Sequence, residues 1–394
     1  MFINFWYPVE WGSQLTDKPI KARMLGQDFV VFRDSDGKAR CLSNTCIHRG
    51  GSLSGGRIKG DCIECPYHGW QFDGEGHCHR IPSLGSDAKF PARAKIDAYP
   101  TQELYGLVFA FLGDLPEEQR PPIMEIPEFG QENWHAHLQD SINLTTEYRR
   151  SMENALDPAH NEFVHPTHGF SGTRDDYYVP ELDVQDTPWG CGFITTYFAP
   201  PLKDKKMIAA SGRSENAVIE AGTFVEGPGS LCTKIHPTGE SYMHQYVFKT
   251  PIDESGYRTF LVQMRNFLIG EEHNERFRER NLVVAGQDNE VLGVVNPVIT
   301  PETKTNELFM PADNAIARYR ERFKEWEAKG WRIDIDVVNR NRKRVAYAIP
   351  GPGRRVQPKG WILDSVPMLP GNGVEIDQID AAKPQARRVR RSLT

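Results

Sequence analysis

Cys46-Ile-His48-Arg-Gly-Gly-Ser-Leu-Ser-Gly-Gly56 and, shortly after it, Cys65-Pro-Tyr-His68-Gly-Trp-Gln-Phe-Asp-Gly-Glu-Gly76 decide how this chain is read. Each stretch offers one thiolate and one imidazole from a single tight loop. Four such ligands suit a two-iron cluster held asymmetrically, with Cys46 and Cys65 on one iron and His48 and His68 on the other. Neutral imidazole in place of thiolate removes negative charge and raises the reduction potential. Zinc also takes two Cys and two His, but its ligand pairs usually set like with like, as C-x2-4-C and H-x3-5-H. Here both loops mix the two types, and Gly50, Gly51, Gly55, Gly56, Gly60 and Gly69 suit loops folded closely around a compact centre.

Residues 40–82 resemble the Rieske [2Fe-2S] motif. The rest of the chain frames that reading. Its 394 residues suffice for two domains. A net charge of −6 gives no sign of a nucleic-acid partner. The one basic run, Arg387-Arg388-Val-Arg390-Arg391, falls in a polar tail (376–394) expected to be disordered. Seven cysteines, two of them assigned to the cluster, argue against a disulfide framework and for a reducing compartment. Cys41, Cys62, Cys78, Cys191 and Cys232 read as small buried residues. The longest apolar stretch, residues 106–113, is too short to span a bilayer, and the first residues lack the basic start of an export signal. A soluble, cytoplasmic protein is expected, with no membrane partner.

Short strands and Gly-rich turns fill residues 1–120. Residues 29–33 and 39–42 read as a hairpin about Asp34-Ser-Asp-Gly37, and residues 107–112 as a buried strand. Asp61 and Glu64 read as exposed loop charges. The Pro/Glu-rich segment 114–129 reads as a connector. Beyond it, residues 148–165, 271–295 and 315–329 read as helices, and 192–198, 242–248 and 258–264 as strands. The expected architecture is α+β: an all-β domain (1–120), then an antiparallel sheet with helices on one side (121–375).

The second chemical signal is Glu153-Asn154-Ala-Leu-Asp157-Pro-Ala-His160-Asn-Glu-Phe-Val-His165-Pro-Thr-His168. On one helix Asp157 and His160 would share a face, whereas His160 and His165 would be splayed by ~140°. Pro166 disfavours helical geometry at His165, so an ending there could swing the second imidazole back. Two histidines and a distant carboxylate make the facial triad of non-heme Fe(II) oxygenases. Gln287-Asp288-Asn289-Glu290 offers the carboxylate, Asp288 in preference to Glu290.

With both signals present, the whole chain resembles the terminal oxygenase α subunit of the Rieske non-heme iron oxygenases. Asn154, Asp157, His160 and His165 match that family's N-x2-D-x2-H-x4-H pattern, and Asp288 its third ligand, by a Q-D-x-x-x-L context. The resemblance implies a helix-grip catalytic domain carrying mononuclear Fe(II), and Asn154 near that iron. It also implies a head-to-tail homotrimer in which Asp157 bridges His68 of one subunit to His160 of the next. The bridge is preferred to a helix-capping role for Asp157, in which Pro158 would sit at the first helical position. The expected partners are a ferredoxin or NAD(P)H-dependent reductase, O2 and a small apolar organic substrate. Phe193, Phe198, Met207, Ile208, Phe224, Val247 and Phe267 supply apolar surface for core and pocket. Hydroxylation or dihydroxylation of an aromatic or polycyclic compound is the first expectation, and O- or N-demethylation the alternative. A Rieske electron carrier without the second iron and a zinc-stabilised binding module are the readings from other classes.

Overall fold

The computed structural model describes residues 1–86, 89–168, 170–198, 218–237 and 240–371. Gln27–Arg33 and Ala39–Ser43 pair antiparallel, and the Asp34 carboxylate accepts from the N–H groups of Asp36 and Lys38 in the turn. Ile20–Met24 and Ala98–Tyr99 complete that sheet. Arg57–Lys59, Cys62–Glu64, Gln71–Phe72 and Cys78–Arg80 form a second, smaller sheet. Ile63, Phe72, Ile81 and Ile96 join Val30, Phe32, Leu42 and Leu53 in one apolar core that also takes Cys46 and Cys65. Leu107–Leu112, buried at every position, lies between Phe5–Trp11 and Thr101–Leu104. Val108, Ala110 and Leu112 enter one core, and Leu107 and Phe109 another, as the period of a strand dictates.

Glu64 departs from expectation. It is buried on the strand Cys62–Glu64 and accepts from Arg57 Nε at 2.6 Å and Gln71 Nε2 at 2.7 Å. Arg57 and Gln71 are its cross-strand neighbours on either side, so pairing across the sheet supplies what a loop position would lack. Asp61 is exposed and accepts from Ser35. Of the five other cysteines, Cys41, Cys78, Cys191 and Cys232 are buried and Cys62 is partly so.

The second half is an antiparallel sheet in the order His135–Leu144, Tyr257–Arg265, Met243–Pro251, Ser230–His236, Val218–Glu226, Gly190–Gly192, Gln185–Thr187, with Thr195–Phe198 also on Val218–Glu226. One face carries Tyr246, Phe248, Phe260, Val262 and Met264 against Leu107 and Phe109 of the N-terminal part. The other meets helices α1 (Tyr148–Ala155), α3 (Asn274–Leu292) and α4 (Asn314–Ala328), and the short α2 (Asn161–Val164) lies against α3. Ala315, Tyr319, Phe323 and Trp326 form the buried stripe of α4, and Arg318 on its open side pairs with Asp186. Phe193 and Phe267 are core residues. Met207, Ile208 and the basic tail lie outside the described residues.

The expected single helix over 148–165 is broken. α1 ends at Ala155, and helix resumes only at Asn161. Pro158 has no N–H for a helical bond and pushes Asp157 out of helical geometry. After α4 the chain returns to the N-terminal part. Arg354 binds the Asp97 carboxylate through two nitrogens at 2.6 and 2.7 Å, and Tyr99 Oη donates to the Ile349 carbonyl. Among the described residues no helix is long and apolar enough to cross a membrane.

Candidate metal centres

The two cysteine–histidine loops share one backbone design. Cys46 N–H donates to Gly51 O and Gly50 N–H to Cys46 O; Cys65 N–H donates to Trp70 O and Gly69 N–H to Cys65 O. Gly50 (φ 71°) and Gly69 (φ 70°) take the left-handed conformation that each turn needs. The loops face each other so closely that a Cβ on Gly51 would lie 2.9 Å from Cys65 Sγ. Cys46 and Cys65 are buried, and burial pushes the Cys46 thiol up to about 12, with neighbouring Cys65 adding to it. Such a thiol becomes a thiolate through a bound cation. His48 and His68 are exposed, with ring centroids 4.3 Å apart, and His48 stacks on Trp70 at 4.8 Å. Two thiols inside and two imidazoles at the surface fit an asymmetrically held two-iron cluster with its histidine edge open to a redox partner.

The break between α1 and α2 builds the second centre. His160 immediately precedes α2 and His165 follows it at φ −113°, ψ 68°, so the short helix turns both rings to one place. Their Nε2 atoms are 3.2 Å apart, and Asp288 Oδ1 from α3 lies 3.6 Å from His160 Nε2 and 3.2 Å from His165 Nε2. Adjacent donors on a first-row metal ion at about 2.1 Å stand about 3 Å apart, so this triangle matches one face of a coordination shell. The outer atoms of the rings are committed. His160 Nδ1 bonds the Asp157 carbonyl at 2.5 Å and His165 Nδ1 bonds Gln287 Oε1 at 3.1 Å. With Nδ1–H donating in both, the Nε2 lone pairs face the gap. Asn154 Nδ2 donates to Asp288 Oδ1 at 3.0 Å. Burial by itself would raise Asp288, but His165, His160 and Asn154 outweigh it and hold the carboxyl below its ordinary value. His165 is 2% exposed.

Asp157 behaves differently from the expected partner of His160. Its Oδ1 accepts from Ala159 N–H at 2.7 Å in a turn closed by Pro158, while Oδ2 stands 4.0 Å from His160 Nδ1. The backbone carbonyl of Asp157, rather than its carboxylate, orients His160 within the subunit. Sequence reasoning used Gln287 only as context for Asp288 and gave it no role at His165. It also missed the buried polar group His137, Gln263 and Asn281 between the sheet and α3, with half-buried Gln245 beside it, where Asn281 bonds Gln263 and approaches His137 at 3.5 Å. Lys249, buried in the sheet on Ser151 of α1, likewise carries no motif.

Residues 5–100 match the family model of the Rieske [2Fe-2S] domain, and residues 144–329 that of the vanillate O-demethylase oxygenase C-terminal domain. Phenoxybenzoate dioxygenase subunit alpha of Ectopseudomonas oleovorans is 34% identical over 204 residues, 48% of this chain and 49% of that protein. Chlorophyllide a oxygenase of Arabidopsis thaliana is 31% identical over 313 residues, 74% of this chain and 53% of that protein. The chain spans about a quarter to a half of the length of the curated relatives it first matches. Its fold is similar to that of Pseudomonas putida CBB5 NdmA with caffeine, at a TM-score of 0.66 and 21% identity, covering 83% of this chain and 91% of that one.

Proposed function

The chain belongs to the Rieske non-heme iron oxygenases, joining a Rieske [2Fe-2S] domain to an oxygenase C-terminal domain, and from that premise we propose that it is a terminal oxygenase. It takes electrons from a ferredoxin or NAD(P)H-dependent reductase and spends them, with O2, on a small organic substrate. Cys46, Cys65, His48 and His68 hold the cluster; His160, His165 and Asp288 hold the mononuclear iron. When bound, the cluster supplies single electrons and the mononuclear iron supplies O2 activation.

The protein's own part is geometric. The Asp157 carbonyl and Gln287 fix the tautomer and tilt of the two histidines. Asn154 holds one oxygen of Asp288, which limits how that carboxylate can turn. The observation that carries the reading is the convergence of His160 Nε2 and His165 Nε2, from the two ends of α2, with Asp288 Oδ1 of α3. Removal of an O- or N-linked methyl group is favoured over ring dihydroxylation, because the matched C-terminal domain is that of an O-demethylase. Hydroxylating such a methyl carbon gives a hemiacetal or hemiaminal that collapses to formaldehyde. The Asp157 carboxylate, partly exposed and held through Oδ1 by the Ala159 N–H, meets His68 of a neighbouring subunit in a head-to-tail trimer.

Iron and acid-labile sulfide per chain, measured on protein purified without oxygen, test the centres. About three irons and two sulfides are expected. Formaldehyde released from methoxy- or N-methyl-aromatic compounds with a surrogate reductase then tests the reaction. Two irons, unchanged on replacing His160 or Asp288, would leave only an electron carrier.

A further inference from the structure

Two imidazole Nε2 atoms meet a second time, on the face of the sheet turned away from the helices. His236 ends the strand Ser230–His236, and His244 lies near the start of the neighbouring strand Met243–Pro251. Lys234 is the cross-strand partner of His244, so His236, two positions along, points to the same face. That face is the one on which Tyr246 and Phe248 pack against the N-terminal part. His236 Nε2 and His244 Nε2 are 3.1 Å apart, beside 3.2 Å for His160 and His165.

A carboxylate holds each outer nitrogen. His236 Nδ1 bonds Glu220 Oε1 of the strand Val218–Glu226 at 2.9 Å, and His244 Nδ1 bonds Glu128 Oε1 at 2.7 Å. Glu128 comes from the connector, is buried, and accepts from Tyr246 Oη at 2.7 Å through its other oxygen. Burial by itself would raise Glu128, but His244 and Tyr246 outweigh it and hold the carboxyl below its ordinary value. An ionised carboxylate only accepts, so Nδ1–H donates in both rings and both Nε2 lone pairs face one gap. Two lone pairs that close repel each other, and a cation between them removes the conflict. The rings have little freedom to turn away. Trp134 packs on His244 with ring centroids 4.9 Å apart, and Tyr242 meets His236 edge-on at 4.7 Å.

We propose that His236 and His244, each oriented by a carboxylate, form a second metal site that takes one zinc ion and ties the connector to the sheet. A carboxylate behind an imidazole fixes its tautomer and strengthens it as a donor. Nitrogens 3.1 Å apart suit adjacent positions on an ion with bonds of about 2.0–2.1 Å. Among the described residues no third His, Cys, Asp or Glu donor joins the pair. The open positions go to solvent, which reaches the site past the partly exposed His236. Two imidazoles suit zinc or copper(II) better than Fe(II), whose triad needs the carboxylate that this pair lacks.

The test dialyses iron-replete protein to equilibrium against a series of zinc concentrations and counts both metals per chain. About one zinc should enter with no iron lost, and the thermal midpoint should rise with zinc. His236→Ala, at a partly exposed position, should lose both the zinc and the rise. Glu128→Gln keeps both imidazoles and should bind zinc about 10–100-fold more weakly. No zinc uptake, uptake only as iron leaves, equal uptake by His236→Ala, or unchanged affinity in Glu128→Gln would overturn the proposal. Anomalous scattering from zinc-soaked wild-type crystals needs no variant and should place an ion about 2.1 Å from both Nε2 atoms. No zinc between the two rings would overturn it equally.

Discussion

Gly51 shows how little room a single side chain has between the cluster loops. A methyl group there would meet Cys65 Sγ at 2.9 Å, and the sulfur cannot retreat without giving up the place proposed for it as a cluster ligand. Gly51→Ala is therefore expected to fold but to lose most of its cluster, read as a drop in visible absorbance and labile sulfide while the mononuclear iron stays. Asn154→Ala makes the complementary prediction. It leaves Asp288 Oδ1 without its donor, so affinity for the mononuclear iron should fall about 10–100-fold, measured as iron retained on dialysis, with the cluster unaffected. At this scale the ligand candidates were legible, because metal chemistry dictates residue type and spacing. Their supports were less so. Gln287 meets His165 across more than a hundred residues of chain, and a backbone carbonyl such as that of Asp157 has no signature in sequence at all.

Among the elements, α1 and α4 are locked by charge inside the core. Arg320 of α4 binds both oxygens of Glu153 on α1 at 2.7 and 2.6 Å, and also Glu307 at 2.6 Å, which in turn accepts from Arg150. Burial raises Glu153 even with Arg320 beside it, so removing the arginine leaves a carboxylate with no compensation. Arg320→Met should destabilise the protein by about 3–5 kcal/mol in chemical denaturation, and adding Glu153→Gln should restore part of the loss. A second prediction concerns pH. Burial, with Arg265 nearby, holds His137 down to about 3, so it stays neutral where an unfolded histidine takes up a proton. The unfolded chain therefore binds the extra proton between about 6.5 and 3, and stability falls as pH falls through that window. Thermal stability of the wild type should drop more steeply below about pH 6 than that of His137→Gln, by up to about 1.4 kcal/mol per pH unit. The charged α4 could be read from its apolar stripe, whereas α3 carries almost none. The break after Ala155 could not be read, because Pro158 was weighed only as a first-turn residue of a helix beginning at Asp157, and only Pro166 was read as ending one.

In the whole molecule, the return of the chain after α4 onto Asp97 and Tyr99 was invisible to a sequence pass. Short segments held by Arg354 and backbone groups have no apolar period. Communication between the centres belongs to the same scale. The exposed His48 and His68 edge, with Tyr67 beside it at 61% exposure, and the partly exposed Asp157 carboxylate suit a contact between subunits. If electrons cross from the cluster of one subunit to the iron of the next, two dead chains can rescue each other. Cys46→Ala should abolish the cluster and keep His160, His165 and Asp288; His160→Ala should do the reverse. Each variant alone is expected to be inactive. Co-expressed in equal amounts they should assemble so that three-quarters of all rings are mixed, each with one junction where an intact cluster faces an intact metal site. Activity should then recover to about a quarter of wild type, since one junction in three works in those rings. Transfer confined within one subunit predicts no recovery at any mixing ratio, because no single chain holds both centres. Light scattering on the same samples fixes the ring size, so a failure to assemble is distinguished from a failure to transfer.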